Sequence, residues 1–260
     1  MSKVAVIIQA RMGSTRLPSK VMSQISGKPM LWHLIDRVQK CHNVDLIVVA
    51  TTTRKEDLVI KQLAEKSGVK AYCGSEDDVL DRYYQAAKLF GSEVVVRITA
   101  DCPLIDPHLI DRMVRYFEDK KDKLDYVGMG TPNHYPDGLD TEVFSFKVLE
   151  KAWKEAKLRS EREHMTSYIW KNEKLFRIGA VALEKDLSSL RWTVDEERDL
   201  RFVREVYKYL YKEGQLFATE EILELLSNRP ELLNINRGIE RNEGYAKSLK
   251  EDSIVKGGSD

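Results

Sequence analysis

A cluster of positive charge follows the first apolar run of the sequence. Three cations, Arg11, Arg16 and Lys20, lie within ten positions of one another. Between them, Gly13 lets the backbone approach a ligand closely, and Ser14 offers N–H and hydroxyl donors. Such a set suits a triphosphate, because guanidinium and ammonium groups bind phosphate oxygens and spread its charge. A solvated basic loop is the alternative, and the continuation S-G-K-P-M-L argues against it.

Two common phosphate-binding loops do not fit this stretch. A Walker A loop requires G-x-x-x-x-G-K-[ST], and the residues after Gly13 supply neither the second glycine nor the lysine. A dinucleotide loop requires G-x-G-x-x-G, and Thr15 occupies the place of the second glycine. We therefore interpret the stretch as a triphosphate cradle of another type.

The elements that must position this cradle are short strands alternating with helices. Continuous apolar runs, typical of parallel strands covered on both faces, occupy residues 4–8, 46–50, 94–98 and 126–129. Helical periodicity between them, as at residues 29–38, predicts a three-layer α/β/α sandwich with a mostly parallel central sheet. Ligands collect at the carboxyl ends of such strands, and the basic stretch emerges from one of them.

Helix boundaries in the first half are marked by capping residues and glycines. Thr53 and Glu56 have the spacing of a capping box, and Gly68 predicts the end of that helix. Ser75 is predicted to begin the next helix and Gly91 to end it.

After residue 130 the pattern changes to turn-rich and charged segments. We expect strands at residues 142–146, 176–183 and 190–194, and helical stretches at 147–174 and 195–226. No linker interrupts residues 90–195. One domain over residues 1–235 is therefore expected, with an inserted arm at 131–175 and a polar tail at 236–260 that lies on the surface or frays.

Composition excludes several classes of protein. Lys and Arg number 42, as do Asp and Glu, so the net charge is zero and neither nucleic acid nor an acidic membrane is an expected partner. Cys41, Cys73 and Cys102 are odd in number and lack metal-type spacing, which favours reduced thiols in a cytoplasmic protein. The N-terminus does not have the pattern of a signal peptide, and no apolar run approaches the length of a membrane helix.

Several segments together resemble the sugar-activating nucleotidyltransferases of the glycosyltransferase-A-like, Rossmann-like fold. The similar segments are Q-A-R-M-G-S-T-R-L-P-S-K, G-K-P-M-L, R-I-T-A-D-C-P-L-I-D-P, D-G-L-D-T-E-V-F-S, R-E-H-M-T-S-Y-I and W-T-V-D-E-E-R-D-L. Within that family, the chain is most similar to the spore-coat-polysaccharide-type relatives of CMP-Kdo synthetase and acylneuraminate cytidylyltransferase. The likeness extends to about residue 250, so it covers nearly the whole chain.

This resemblance implies that CTP and a sugar or sugar acid react to give a CMP-sugar and pyrophosphate, with Mg²⁺ required. Attack on the α-phosphorus needs mainly positioning and charge neutralisation from the protein. Arg11 and Lys20 are therefore the expected catalytic cations, with Lys20 nearest the α-phosphate and Arg16 a third contact. Lys20 should be solvent-accessible when no nucleotide is bound.

Asp101, the third expected catalytic residue, follows a predicted buried strand at the edge that carries the cradle. The resemblance assigns Asp101 and Asp195 to the metal, and Mg²⁺ commonly takes one or two carboxylates plus phosphate oxygens. Their carboxylates should then converge to about 4–7 Å and repel each other without metal, which would raise one pKa. Asp101→Asn and Asp195→Asn should therefore leave the fold intact or slightly more stable. Helix capping is the alternative for both, although Asp106, before Pro107, is the more natural cap.

The residues that bind the base of the nucleotide and the acceptor sugar are less clearly marked in the sequence. Ala10 and Arg11 emerge where a pyrimidine could meet backbone groups, and Thr51 ends the next strand, where capping is an equal alternative. Ser75, Asp78 and Arg82 either lie near the nucleotide or belong to the start of a solvated helix. Asp137, Asp140 and Glu142 are expected to accept hydrogen bonds from sugar hydroxyls. Arg162 and His164 either face an acidic group of the sugar or lie on a helix surface, which is the commoner place for a lone histidine in a charged helix.

Relatives are commonly homodimers, and the arm carries aromatic residues of the kind that interfaces favour. These are Tyr135, Phe144, Phe146, Trp153 and Trp170. We therefore expect residues 131–175 to contribute to a two-fold interface.

Other functions remain open at this level. A metal-dependent glycosyltransferase using an NDP-sugar could share the sheet, but Asp101-Cys102-Pro103 is not its D-x-D motif. A nucleotidyltransferase using another nucleoside triphosphate or a non-sugar acceptor, and a non-catalytic nucleotide-binding module, are further alternatives.

Overall fold

A computed structural model of the protein describes residues 3–239, 241 and 243–254. Its strands are β1 (Val4–Gln9), β2 (Gln24–Ile25), β3 (Lys28–Pro29), β4 (Leu46–Thr52), β5 (Lys70–Gly74), β6 (Val94–Thr99), β7 (Tyr126–Gly128), β8 (Glu142–Ser145) and β9 (Ile178–Ala180). Its α-helices are α1 (Met30–Val38), α2 (Leu58–Lys66), α3 (Val79–Phe90), α4 (Pro107–Lys120), α5 (Phe146–Glu155), α6 (Arg159–Glu163), α7 (Ser167–Lys171), α8 (Glu197–Leu210), α9 (Thr219–Asn228) and α10 (Glu243–Lys250).

Seven strands form one central sheet in the order β5-β4-β1-β6-β8-β7-β9. The pairs β4/β5, β1/β4, β1/β6 and β7/β9 are parallel, whereas β8 runs antiparallel to both of its neighbours. The predicted α/β architecture with a mostly parallel sheet is confirmed. In the parallel register Gln9 lies opposite Ala50 on one side and Thr99 on the other, so the carboxyl ends of β1, β4 and β6 meet at one edge.

Helices cover both faces of the sheet because successive strand residues point to opposite sides. Ile8 and Val96 pack with α1, α2, α4 and α8 on one face. Ile7 and Val95 pack with α3, α5 and α7 on the other. These two cores, with the sheet between them, make the three predicted layers.

The four strands predicted before residue 130 are confirmed, but two other assignments differ. Strand β5 was missed because it is an edge strand whose side chains are mostly half-exposed, so it has no continuous apolar run. The strand predicted at 190–194 is wrong: outside one bridge between Arg191 and Asp137, the segment pairs with loops. The amides of Trp192 and Thr193 both donate to the Asp137 carbonyl, at 2.6 and 2.9 Å.

Some predicted helices are shorter or broken. The stretch 147–174 contains α5, α6 and α7, and the stretch 195–226 contains α8 and α9, separated by a turn in which Gly214 has φ +76°. The cap of α3 is Asp78, whose side chain accepts from the Asp81 amide at 2.8 Å, so the start predicted at Ser75 is three residues early. Gly91 ends that helix with φ +63°, as predicted.

The capping box predicted at Thr53 and Glu56 does not form. Instead, the hydroxyl of Thr52 accepts from the amide of Arg54 at 3.1 Å and donates to the carboxylate of Asp57. Asp57 is buried, and this bond holds it near the carboxyl end of β4.

The segment predicted as an inserted arm supplies β8 to the interior of the sheet. Of its aromatic residues, Tyr135 and Phe144 are buried, and Trp170 is 37% exposed. Further along, residues for which we predicted only a polar tail include α10 and the buried Asn236. Over the described residues, no helix has both the length and the apolar character that crossing a bilayer requires.

Candidate active site

A cleft of about 270 Å³ opens at the carboxyl ends of β1 and β6. Nine of the residues predicted for the site line it: Ala10, Arg11, Gly13, Ser14, Arg16, Lys20, Asp101, His164 and Asp195. They share its wall with Arg82, which we predicted either near the nucleotide or in a solvated helix start, and with residues that we did not assign to the site, among them Gln9, Val79, Arg97, Thr99 and Glu163. The topology therefore brings the basic loop and both acidic residues to one concave surface.

The basic loop is held by backbone contacts and leaves its glycine open. The amide of Met12 donates to Asp57 at 2.6 Å, and the Met12 carbonyl accepts from Ser19, which has φ +60°. A Cβ added at Gly13 would meet nothing closer than Glu76 Oε1 at 4.0 Å. No packing demand from the described residues therefore requires the glycine, and its open backbone is available to a ligand, as a phosphate cradle needs.

Lys20 is only 8% exposed, contrary to the solvent-accessible position that we predicted. Its ammonium group donates to Asp101 Oδ2 at 3.0 Å, to Asp195 Oδ1 at 2.8 Å and to the Val194 carbonyl at 2.7 Å. Burial alone would lower its pKa, but the two carboxylates outweigh burial and raise it. Lys20 is charged and fully hydrogen-bonded in this state.

Asp101 and Asp195 converge on this one nitrogen atom. Asp101 Oδ2 and Asp195 Oδ1 both contact Lys20 Nζ, so the distance between these two oxygens cannot exceed the sum of the two hydrogen-bond lengths. The two carboxylates therefore converge, as predicted. The expected rise in pKa is wrong for Asp101. Burial would raise that pKa, but the charge of Lys20 and hydrogen bonds from Thr99 and Lys20 lower it to about 2. The ammonium group replaces repulsion between the carboxylates by attraction.

Arg191 holds Asp195 from the side away from Lys20. Its Nη2 lies 2.9 Å from Asp195 Oδ2, its Nε 3.0 Å from Asp199 Oδ1 and its Nη1 2.7 Å from Asp137 Oδ2. Arg16 lies 3.0 Å from Asp195 Oδ1. Both oxygens of Asp195 therefore face cations. We did not single out Arg191 from the sequence, although it lies four residues before Asp195.

Asp137 and Asp140 lie behind this group and do not line the cleft. Asp140 accepts from Arg241 Nη2 at 2.8 Å, and Asp137 is 3.6 Å from Arg241 Nε. Burial and the nearby Asp140 raise the pKa of Asp137 to about 6, although Arg241 and Arg191 oppose the change. Arg191 offsets this rise in the pKa of Asp137 only in part, because its guanidinium also contacts Asp195 and Asp199.

Three further predicted residues lie outside the cleft lining. Thr51 is fully buried in β4. Glu142 is 9% exposed and contacts Arg97 and the hydroxyl of Tyr126. Arg162 is 2% exposed, and its Nε donates to Asp78 at 2.8 Å. The side chains of Glu142 and Arg162, which are held in these buried pairs, are not free to meet a sugar.

His164 and Glu163 form the part of the wall that comes from the end of α6. The ring of His164 is hydrogen-bonded through Nε2 to Ser248 at 3.0 Å, and the Ser248 hydroxyl donates to Glu163 at 3.0 Å. Burial lowers the pKa of His164, so the neutral ring is favoured. Helix α10 thereby supports this wall.

The acidic pair fits a magnesium ion of the kind that the resemblance implies. The described residues contain no group of three or more His, Cys, Asp or Glu side chains placed to enclose a metal. Mg²⁺ does not need one, because it binds through one or two carboxylates together with substrate phosphates and water. Asp101 and Asp195 supply those carboxylates beside the basic loop.

A basic loop facing paired carboxylates at the edge of a parallel α/β sheet is an arrangement suited to nucleotidyl transfer. A sequence model of the family described as "Cytidylyltransferase" matches residues 5–239, and the chain belongs to that family.

Individual relatives agree with this membership. An uncharacterized protein of Methanocaldococcus jannaschii is 40% identical over 247 residues, covering 94% of this chain and 98% of that protein. The spore coat polysaccharide biosynthesis protein SpsF of Bacillus subtilis is 29% identical, covering 89% of this chain and 97% of that protein. A 3-deoxy-manno-octulosonate cytidylyltransferase of an Anaeromyxobacter species is 40% identical over 121 residues, covering 45% and 48%.

Solved structures show the same fold. A cytidylyltransferase from Leptospira borgpetersenii superposes with a TM-score of 0.87 at 31% identity, covering 93% of this chain and 100% of that one. A CMP:2-keto-3-deoxy-manno-octonic acid synthetase complexed with CTP gives a TM-score of 0.60 at 19% identity, covering 80% and 99%. The second likeness concerns the fold alone.

Proposed function

We propose that this protein transfers the CMP group of CTP to a hydroxyl of a sugar or sugar acid, releasing pyrophosphate, in the synthesis of a cell-surface or spore-coat polysaccharide. The observation that carries the proposal is the meeting of Lys20, Asp101 and Asp195 in a cleft lined by the basic loop. Family membership and the names of the relatives SpsF and 3-deoxy-manno-octulosonate cytidylyltransferase support the choice of CTP and of a sugar acceptor.

The reaction forms one bond and breaks one bond at the α-phosphorus. The acceptor oxygen attacks, the bond to the bridging oxygen of pyrophosphate breaks, and the hydroxyl proton leaves to solvent. Negative charge grows on the departing pyrophosphate. Arg11 and Arg16, on the cleft wall beside the open backbone of Gly13, are placed to neutralise it.

Lys20 serves the α-phosphate in this proposal. In the nucleotide-free arrangement its ammonium group is bound by Asp101 and Asp195, and a phosphate oxygen would compete with them for it. Release of Lys20 leaves both carboxylates free to hold Mg²⁺, which supplies charge compensation at the phosphate oxygens when bound. Arg191 retains Oδ2 of Asp195 and keeps that carboxylate oriented.

The acceptor is proposed to enter beside Asp195, past Glu163 and His164. Asp137 and Asp140 lie behind this region. They would hold the side chains that line it in place through their ion pairs with Arg191 and Arg241. Glu142 and Arg162, which we predicted as substrate ligands, are left out of the proposal because both are buried in pairs with other side chains.

A screen of nucleoside triphosphates against sugars and sugar acids, with pyrophosphate release as readout, tests the function. We expect release with CTP, Mg²⁺ and one sugar class, and none from the Asp101→Asn variant. Turnover of a CDP- or UDP-sugar without pyrophosphate release would indicate a glycosyltransferase instead. Release only with another triphosphate or a non-sugar acceptor would move the protein to a different nucleotidyltransferase class.

Two further features belong to the proposal. We place the reaction in the cytoplasm, where CTP is made, and we propose a homodimer with residues 131–175 at the interface. The partly exposed Trp170 of that segment is an available contact for a partner. Light scattering at micromolar concentration tests the assembly, and a monomer would contradict it.

A further inference from the structure

The cleft contains a buried guanidinium without an anionic partner. Arg82 is 2% exposed and its Nη1 donates to the Ser75 carbonyl at 3.1 Å, but its Nε has no hydrogen-bond partner in the described part of the chain. Other buried arginines are matched. Arg162 and Arg191 contact carboxylates, and the Nε of Arg37 donates to a backbone carbonyl at 2.6 Å.

A buried charge of this kind is costly unless acceptors meet it. Arginine stays protonated in proteins and carries five N–H donors in a rigid plane, so it cannot reduce the cost by losing its proton. Burial and the nearby Arg11 act against the charged form of Arg82 and lower its pKa. Because Arg82 lines the cleft, the missing acceptors are expected from a ligand.

The surroundings of Arg82 suit a flat ring better than a phosphate. Val79 precedes it by three positions on α3, so both residues lie on one face of the helix, and both line the cleft. Val79 is 5% exposed and apolar. An apolar surface beside a planar set of donors matches an aromatic ring whose edge carries acceptors.

Arg82 also lies away from the reacting end of the cleft. Helix α3 packs against β1, β4 and β5, whereas Asp101 follows β6 on the other side of β1. The charged groups that act on Arg82 are Arg11, Asp57 and Glu76, while those that act on Lys20 are Asp101 and Asp195. A nucleotide with its α-phosphate at Lys20 can therefore extend its base towards Arg82.

We propose that Arg82 reads the base of the nucleotide by donating two hydrogen bonds to O2 and N3 of cytosine while the ring packs on Val79. Cytosine presents these two acceptors side by side, whereas uracil carries a hydrogen at N3 that would face the guanidinium. Arg82 is thus a specificity-determining residue that favours CTP over UTP. The inference rests on the proposed function, since it identifies the base end of the same cleft.

The test separates base recognition from phosphate binding. In the Arg82→Met and Arg82→Lys variants we expect the ratio of kcat/KM for CTP to that for UTP to fall by about tenfold or more, because a site built to hydrogen-bond a group discriminates strongly against its absence. Affinity for inorganic tripolyphosphate should be unchanged. Arg115→Met, at an exposed position on α4, is the matched control and should leave both quantities unchanged.

Three outcomes would overturn the inference. They are an unchanged CTP/UTP ratio in folded variants, a loss of tripolyphosphate affinity that matches the loss for CTP, and equal binding of CTP and 3-deaza-CTP by the wild-type protein. The last measurement needs no variant, because the analogue lacks only the N3 acceptor, and we expect it to bind about tenfold more weakly. If CTP binds with these preferences but no sugar yields pyrophosphate, the proposed function fails and the assignment of Arg82 stands.

Discussion

The ammonium nitrogen of Lys20 lies 3.0 Å from Oδ2 of Asp101, although 81 positions separate the two residues. The same nitrogen contacts Asp195 at 2.8 Å. A cation of the protein thus neutralises the carboxylates that are expected to hold Mg²⁺. In the proposed mechanism nucleotide and metal are coupled through this lysine, because a phosphate that takes the ammonium group would free both carboxylates.

Replacing Lys20 tests that coupling. The Lys20→Met variant should lose about a hundredfold in kcat, corresponding to about 3 kcal/mol of transition-state stabilisation. Its free energy of unfolding should fall by about 2 kcal/mol, because two partly buried carboxylates lose their counter-charge. Without nucleotide, Mg²⁺ should then raise the melting temperature of the variant more than that of the wild type. Equal magnesium effects in both would contradict the coupling, and Lys185→Met, at an exposed position, is the control.

Neutralising either acidic residue should abolish metal-dependent turnover. For Asp101→Asn and Asp195→Asn we expect at least about a hundredfold loss of pyrophosphate release at saturating Mg²⁺. From the sequence we expected the fold to be unchanged or slightly more stable, but the contacts with Lys20 now predict a modest loss of stability. Calorimetry and a pyrophosphate assay on the same samples measure both effects. Asp119→Asn, at an exposed position on α4, should behave as wild type, and near-normal turnover in either site variant would remove that aspartate from the mechanism.

Arg191 is expected to act through Asp195 rather than on the substrate. A lysine keeps the charge but cannot present the planar set of donors that reaches Asp137, Asp195 and Asp199 together. Arg191→Lys should lower kcat by about tenfold and weaken Mn²⁺ binding, measured by electron paramagnetic resonance in the presence of CTP. The exposed Arg198→Lys is the control. Normal Mn²⁺ affinity in Arg191→Lys would contradict the positioning role.

Asp137 should make the free energy of unfolding fall as the pH rises. Its pKa is about 6 in the folded protein against an ordinary value of 3.8, so the folded state holds its proton more tightly than the unfolded state. The contribution of protonated Asp137 to the free energy of unfolding is complete below about pH 4 and is lost as the pH rises through 6. Between pH 4 and 7, wild type should therefore lose about 2–3 kcal/mol relative to Asp137→Asn. Urea unfolding at several pH values measures the difference, and parallel curves for the two proteins would contradict the pKa.

Strand periodicity and chain order predicted a substantial part of the site. Because parallel strands end at one edge, the basic loop after β1 and Asp101 after β6 were expected to face the same ligand, and both line the cleft. The resemblance to cytidylyltransferases added Asp195, which no local pattern connects with Asp101.

Apart from the convergence of Asp101 and Asp195, contacts between distant segments were not predicted. Lys20 reaches the Val194 carbonyl across 174 positions, and Arg191 gathers three carboxylates from separate turns. Sequence spacing does not show which cation a carboxylate meets, so Lys20 was expected to be exposed. Residues 190–194 read L-R-W-T-V, and this alternation of apolar and polar side chains is typical of a strand. Trp192 and Val194 are instead buried in a segment that pairs with loops, and the alternation alone does not distinguish the two.

The hydrogen bonds of Ser248 have a consequence for how the protein is handled. The family match ends at residue 239, yet Ser248 beyond it contacts Glu163 and His164 on the cleft wall. Asp252 likewise accepts from the amide and hydroxyl of Ser160 in α6. A protein trimmed to the matched region would keep its sheet and lose these supports of the cleft wall. The region that the family model matches therefore contains the central sheet apart from Val4, while a segment outside it helps to shape the space in which the acceptor is proposed to bind.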